Sequence, residues 1–224
     1  MANSKLLALS SSIGDYLKAI YLLSLEGQVS TNALASQLGI SSPSVSGMLS
    51  KLQEQGLIDY ERYKSVKLTP KGEREALRLL RRHRLIETFM IEYLNYSWDE
   101  VHEEAEALEH SISDRFTESL AKLLRYPTHD PHGDPIPNAD GGLPDTPNTP
   151  LTELEPEQTL LVSRLVTQDD AVLRYLANLG IQPGSSLKLT LLEPVGGLLH
   201  IVLDGNHQVI SKEMASLIRG EVQT

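Results

Sequence analysis

The nine residues His102-Glu103-Glu104-Ala105-Glu106-Ala107-Leu108-Glu109-His110 hold the densest set of metal-binding side chains in the chain. On a helix, residues three and four apart share a face, so Glu106, Glu109 and His110 project together, with His102 one turn earlier on the same side. Two carboxylates and an imidazole from one turn suit a divalent first-row cation that accepts both oxygen and nitrogen. His83 and Glu87, four apart, offer a second pair. Clustered like charges on a helix are costly unless a cation neutralises them. A solvated acidic face is the alternative. It is favoured for Glu103 and Glu104, and spacing alone leaves it open for Glu106, Glu109 and His110. No His-Glu-x-x-His occurs, and no nucleophile or oxyanion device accompanies the carboxylates, so an enzyme is not expected. Cysteine is absent, which excludes disulfides, thiolate metal sites and cysteine nucleophiles. Turn-forming residues around His129 and His132 favour a structural role for both. His200 and His207 are expected to face solvent.

The net charge of −10 argues at first against nucleic acid as a partner. Its distribution reverses that. Residues 1–84 carry 12 Lys+Arg against 7 Asp+Glu, whereas residues 85–224 carry 8 against 23. A basic first third joined to an acidic remainder is expected where one module meets phosphate and another does something else. Met1 to Ser12 reads as no signal peptide, and no stretch approaches the ~18 apolar residues of a membrane span. A cytoplasmic location without membrane contact is expected.

Apolar spacing predicts a helix over 11–25, a short helix over 33–38 behind the Ser30-Thr31-Asn32 cap cluster, and a third from Ser42-Pro43 to Gly56 with Ser42 as cap. Leu57 to Tyr60 and Val66 to Leu68 alternate as two short strands. Thr69-Pro70 then caps a long helix reaching about Leu94. Helix, short helix, turn, helix and hairpin define a winged helix-turn-helix, against the plainer alternative of a three-helix bundle with a hairpin. Small polar residues opening the third helix would meet base edges in a major groove, and Arg62, Lys64 and Lys67 on the hairpin would meet phosphate. Two more helices are expected between Trp98 and Leu124. The Pro-, Gly-, Asp- and Asn-rich run 127–150 reads as linker. Strands at 187–192, 198–203 and 207–210, with one helix near 169–179, make a small β module.

The chain resembles the diphtheria-toxin-repressor family of metal-dependent regulators, in particular its manganese-transport-regulator branch. The resemblance rests on Asp15-Tyr16-Leu17-Lys18-Ala19-Ile20-Tyr21, Ser42-Pro43-Ser44-Val45-Ser46, Leu68-Thr69-Pro70-Lys71-Gly72 and Arg82-His83-Arg84-Leu85-Ile86-Glu87. Val101 to His110 and Gly133-Asp134-Pro135-Ile136-Pro137 complete it, so that it spans roughly 11–138. The last 70 or so residues resemble, more loosely, the SH3-like module of longer members.

The resemblance implies a mainly α fold with a small β module. Residues 1–74 would form a winged helix-turn-helix domain and 75–138 a helical metal-binding and dimerisation domain, with a linker at 139–150 and an SH3-like, FeoA-like β-barrel over 151–224. It implies a primary metal site of Asp15, Glu106, Glu109 and His110, and an ancillary site of His83, Glu87 and His102. Asp169 or Asp170 would add a carboxylate from the β module. Ser41, Pro43, Ser44 and Ser46 match positions near DNA, while Gly47 stands where some members carry Gln. The iron-sensing branch has Met and Cys where this chain has Asp15 and Glu106, and hard carboxylates favour Mn²⁺. Short manganese members have Glu at Lys18, so a second cation would rely on the ancillary ligands. The expected function is a homodimeric, manganese-dependent repressor of metal-uptake genes that binds a double-stranded operator. The alternatives are a ferrous-iron-dependent regulator of the same family and a winged-helix regulator responding to an organic ligand.

Overall fold

The computed structural model describes residues 10–61, 64–98 and 100–223. They divide into two compact units, one up to Arg82 with residues 139–141, the other of residues 83–138 and 142 onward. No helix among the described residues is long and apolar enough to cross a membrane.

In the first unit, α1 (Ser11–Glu26), α2 (Thr31–Gln37) and α3 (Ser42–Glu54) precede the strands β1 (Ile58–Asp59) and β2 (Lys67–Leu68). Leu17, Ile20, Leu34, Leu49, Leu52 and Leu57 interlock in a core from which water is excluded. Each such side chain contributes about 1.5–3 kcal/mol through burial. Ser30 caps α2 by accepting from the Ala33 N–H. The cap of α3 is Ser41 rather than Ser42, its hydroxyl accepting from the Ser44 N–H, which places Pro43 in the first turn where no N–H is needed. β1 and β2 pair antiparallel, Ile58 with Leu68 and Asp59 with Lys67. These elements form the expected winged helix-turn-helix. Arg62 lies outside the described residues.

The helix α4 (Pro70–Leu94) opens in the first unit, where Gly72 lets it close on the strand region. A Cβ at Gly72 would meet the Leu57 carbonyl oxygen at 2.0 Å. From His83 onward α4 belongs to the second unit. There Leu85, Ile86 and Met90 pack with Val101 and Ala105 of α5 (Val101–Glu109) and Leu120 and Ala121 of α6 (Asp114–Leu123).

The C-terminal part of the second unit is a six-stranded antiparallel sheet in the order β3-β8-β4-β5-β6-β7. Its strands are β3 (Thr149–Pro150), β4 (Thr159–Leu165), β5 (Ser186–Leu192), β6 (Leu198–Leu203), β7 (Asn206–Ser211) and β8 (Ile218–Gln223), with helices α7 (Asp170–Asn178) and α8 (Lys212–Ser216). The strands β4 and β8 are absent from the sequence expectations. A register shift between Val162 and Arg164 breaks the alternation of β4, and Gly220 removes a side chain from β8 where the Leu161 carbonyl would clash with one.

The run 127–150 is not simply a linker, which corrects the reading from composition. Asp130, His132, Gly133 and Ile136 are buried, and residues 139–141 pack with the first unit. The turn at 130–134 closes on β4: the Leu165 N–H donates to the His132 carbonyl. Gly133, at φ +86°, approaches so closely that a Cβ would lie 1.9 Å from the Ser163 carbonyl oxygen. Gly133→Ala therefore faces both a left-handed backbone and a backbone clash. We expect it to lower the free energy of unfolding by roughly 2–4 kcal/mol in urea denaturation. A loss below about 0.5 kcal/mol, the range of ordinary surface changes, would show that this turn does not brace the sheet.

Candidate metal centre

The second half of α4 and the whole of α5 bring two rows of ligand-type side chains face to face. His83 and Glu87, one turn apart on α4, are both 3% exposed, and Glu109 of α5 is 0% exposed. His83 Nδ1 lies 2.6 Å from Glu109 Oε2. His83 Nε2 lies 3.0 Å from Glu87 Oε1 and 3.1 Å from His102 Nδ1. Both nitrogens of His83 thus face carboxylates. Glu106, partly exposed, reaches toward His83 Nδ1 at 4.0 Å and His102 Nε2 at 3.9 Å. His110, which caps the C-terminus of α5, places Nε2 3.6 Å from Glu109 Oε1. The spacing groups Glu106, Glu109 and His110, with His102 one turn earlier; in the structure the ligand atoms of His102 and Glu106 gather with His83, while His110 meets Glu109. The residues assigned by resemblance to a primary and an ancillary set meet directly through the His83–Glu109 contact.

A second cluster comes from residues that sequence reasoning set aside. Ligand atoms of Glu87, Asp130 and His132, all buried, lie within 4.8 Å of one another. His132 Nε2 is buried without a hydrogen-bond partner, while the Trp98 ring packs edge-on against the imidazole. The Asp130 carboxylate accepts from the backbone N–H groups of His132 and Asp134, so the turn holds its own ligands in place. The available signal was the run His129-Asp130-Pro131-His132-Gly133-Asp134, whose proline and glycine read as punctuation. His129 does have the structural role expected of it, bonding to the hydroxyls of Thr128 and Thr146.

The two buried carboxyl groups of this pocket are shifted in opposite directions. Burial pushes the Glu87 carboxyl up, but the positive charge of His83 and hydrogen bonds from His102 and His83 outweigh it and hold the group well below the ordinary carboxylate range. Burial, reinforced by Asp134 and Glu87, pushes Asp130 well above its ordinary value despite the nearby Arg84. Two carboxyl groups sharing a dry site cannot both ionise cheaply unless a cation joins them. Buried carboxylates, imidazoles and an unpartnered ring nitrogen fit a divalent first-row ion, with Glu87, Asp130 and His132 as one group able to hold it and His83, His102 and Glu106 as a neighbouring one.

Other residues named from the sequence are placed as follows. Asp15 lies near the start of α1, in the first unit, and Lys18, one turn on, is buried. Asp169 caps α7, its carboxylate accepting from the Ala171 and Val172 N–H groups, and Asp170 is half-buried. Neither joins a cluster of three ligand groups among the described residues. Ser41, Pro43 and Ser44 are exposed at the start of α3, and Ser46 turns its hydroxyl back to the Ser42 carbonyl. Lys64 pairs with Glu61 at the surface, and Lys67 is exposed on β2.

A winged helix-turn-helix followed by a helical unit with buried metal-type ligands defines a metal-responsive DNA-binding regulator. Comparison with known proteins gives the family. Residues 8–66 match the iron-dependent repressor N-terminal DNA-binding domain and residues 69–138 its metal-binding and dimerisation domain, while 149–222 match the FeoA domain. The iron-dependent repressor IdeR of Mycobacterium tuberculosis is 32% identical over 220 residues, covering 92% of this chain and 95% of its own. A solved manganese-dependent transcriptional repressor in complex with manganese superposes with a TM-score of 0.87 at 40% identity, covering 92% of this chain and 97% of the other. The manganese regulator SloR superposes at 0.81 with 36% identity, covering 94% and 98%. This chain belongs to the diphtheria-toxin-repressor family of metal-dependent, DNA-binding transcriptional repressors, which are not enzymes. Its C-terminal module is the SH3-like FeoA domain.

Arg84 brings positive charge to the Asp130–Asp134 side of this pocket. Buried, it lies 3.6 Å from Asp130 and 3.5 Å from Asp134 and donates to the Pro135 carbonyl, while Arg164 of β4 holds Asp134 at 2.6 Å. Removing one partner of a buried network leaves the others desolvated and unmatched. Arg84→Ala is expected to cost about 2–4 kcal/mol of unfolding free energy. Calorimetry and urea titration would check this, and a near-neutral change would show that water replaces the guanidinium.

Proposed function

We propose that this chain is a manganese-activated repressor of metal-uptake genes that acts as a cytoplasmic homodimer on a double-stranded operator. The carrying observation is the chemistry of the donor set. Asp15 and Glu106 stand where the iron-sensing branch it resembles has Met and Cys, and every other candidate ligand is a carboxylate or an imidazole. Oxygen-rich sites suit Mn²⁺ and sulfur suits softer ions. Two of the solved relatives are a manganese-dependent repressor and a manganese regulator, which supports the same choice. The 32% identity to an iron-dependent repressor favours Fe²⁺ as the second reading.

On this reading Asp15, Glu106, Glu109 and His110 form the primary site, a set assigned by resemblance. Glu87, Asp130 and His132, together with His83 and His102, serve a second cation, and the carboxylate from Asp169 or Asp170 remains part of the proposal. Asp15 lies on the helix that carries the DNA-binding core, and the other primary ligands lie on α5. On this reading ligand occupancy and DNA binding are linked free energies. Dimerisation through the helical unit is supported by Leu94, Leu108, Phe116 and Leu123, large apolar side chains left exposed on it. In a dimer the two copies of α3 have to match half-sites about 34 Å apart, or a multiple of that.

The test is fluorescence anisotropy with duplexes enriched from a random library in separate Mn²⁺ and Fe²⁺ arms, under anaerobic conditions and at saturating metal. Mn²⁺ is expected to give the strongest binding, and Glu106→Ala and His110→Ala to abolish the metal-dependent part while unfolding remains cooperative. A full response to Fe²⁺ with a marginal one to Mn²⁺ replaces the manganese reading by iron. Unchanged metal-dependent affinity in either variant removes the primary-site assignment.

The wing gives a separate test. Lys64→Ala and Lys67→Ala should each weaken binding equally for enriched and random duplexes and lower the slope of log K against log salt by about one. Loss of discrimination between the two duplexes would mean that these lysines read bases.

A further inference from the structure

A pair of histidines backed by a carboxylate lies on the SH3-like sheet, on residues separate from the helical cluster. The strands β6 and β7 pair His200 with Val209 and Val202 with His207, so the two histidines are diagonal neighbours on one face. The alternate residues Leu199, Ile201, Leu203 and Ile210 are buried in the module core, which leaves the histidine face turned outward. His200 Nδ1 lies 3.2 Å from His207 Nε2, and the rings are tilted with centroids 5.2 Å apart. Behind them His200 Nε2 lies 2.8 Å from Glu193 Oε1. Glu193 is itself held across the β5–β6 hairpin, its N–H donating to the Leu198 carbonyl.

We propose that His200 and His207 bind a late first-row divalent cation of the Zn²⁺ or Cu²⁺ class, with Glu193 as the positioning residue. Two Zn–N bonds of about 2.0–2.1 Å at a tetrahedral angle put their nitrogens roughly 3.3–3.4 Å apart, close to the separation seen. A neutral imidazole carries one N–H. Because a carboxylate only accepts, Glu193 draws that hydrogen to Nε2 of His200 and leaves Nδ1 as a lone pair aimed at His207. A carboxylate behind a ligating histidine fixes ring and tautomer in this way. The cluster is accessible to an ion, since His207 is exposed and His200 half-buried. Its donors are imidazoles, with the one carboxylate turned to the back, so it selects against Mn²⁺, the opposite of the oxygen-rich helical centre. The sheet register that brings the rings together also makes the cation a staple between β6 and the edge strand β7.

The test uses the full chain and Zn²⁺ itself. Equilibrium dialysis should show His200→Gln and His207→Gln each binding one Zn²⁺ fewer per chain, with the Mn²⁺ count unchanged. Glu193→Gln should keep the count but weaken that equivalent about 10–100-fold. In the unmodified protein, histidine-ring ¹⁵N spectra should show His200 Nδ1 and His207 Nε2 shifting together as Zn²⁺ is added. An unchanged Zn²⁺ count in both natively folded variants would overturn the proposal. So would ring nitrogens of these two residues that do not move at saturating Zn²⁺, a readout that needs no variant to fold. Neither result bears on manganese activation, because no ligand is shared.

Discussion

Carboxylates buried beside one another have to be balanced by positive charge, and the second unit is arranged around that constraint. Glu87, Glu109 and Asp130 are withdrawn from water among His83, His132 and Arg84. In a dry interior an unmatched charge costs several kcal/mol, so such a cluster persists only when hydrogen bonds, partial protonation or a cation share the load. Glu87 and Asp130 divide it unequally, one held ionised and the other pushed toward its neutral form. On the proposed function a divalent ion would balance both carboxylates at once.

The sheet contributes to the centre although no ligand group among the described residues draws on it. Arg164 of β4 holds Asp134, the His132 carbonyl accepts from Leu165, and Gly133 packs on the Ser163 backbone. The turn that presents Asp130 and His132 to Glu87 is thus braced by the FeoA-like module, and Trp98, which packs against that module's core, also covers His132. The carboxylate-bearing helical cluster and the imidazole pair proposed on the sheet would give one chain two different donor chemistries.

The winged helix-turn-helix was legible before any coordinates because its signals are local: cap residues, apolar positions at helical spacing, and two alternating strands. Val45, Leu49 and Leu52 follow one face of α3, and nothing distant is needed to see it. The row His102, Glu106, Glu109 was legible for the same reason. Membership of the family came from ordered motifs, and matching of two domain models and of full-length relatives bears it out.

What sequence by itself determined, then, were the helices, their buried faces and the types of ligand that α4 and α5 carry. Only the tertiary structure decided which ligands meet. Asp130 and His132 sit in a Pro- and Gly-rich run whose composition reads as linker, and it is packing on β4 that turns them inward toward Glu87. The strands β4 and β8 escaped notice because a bulge and a glycine interrupt their alternation. The pairing of His200 with His207 depends on strand register, a relation between residues that no local pattern encodes. Spacing along a helix is set by covalent geometry and can be read from a sequence, whereas convergence across turns and strands is set by packing and cannot.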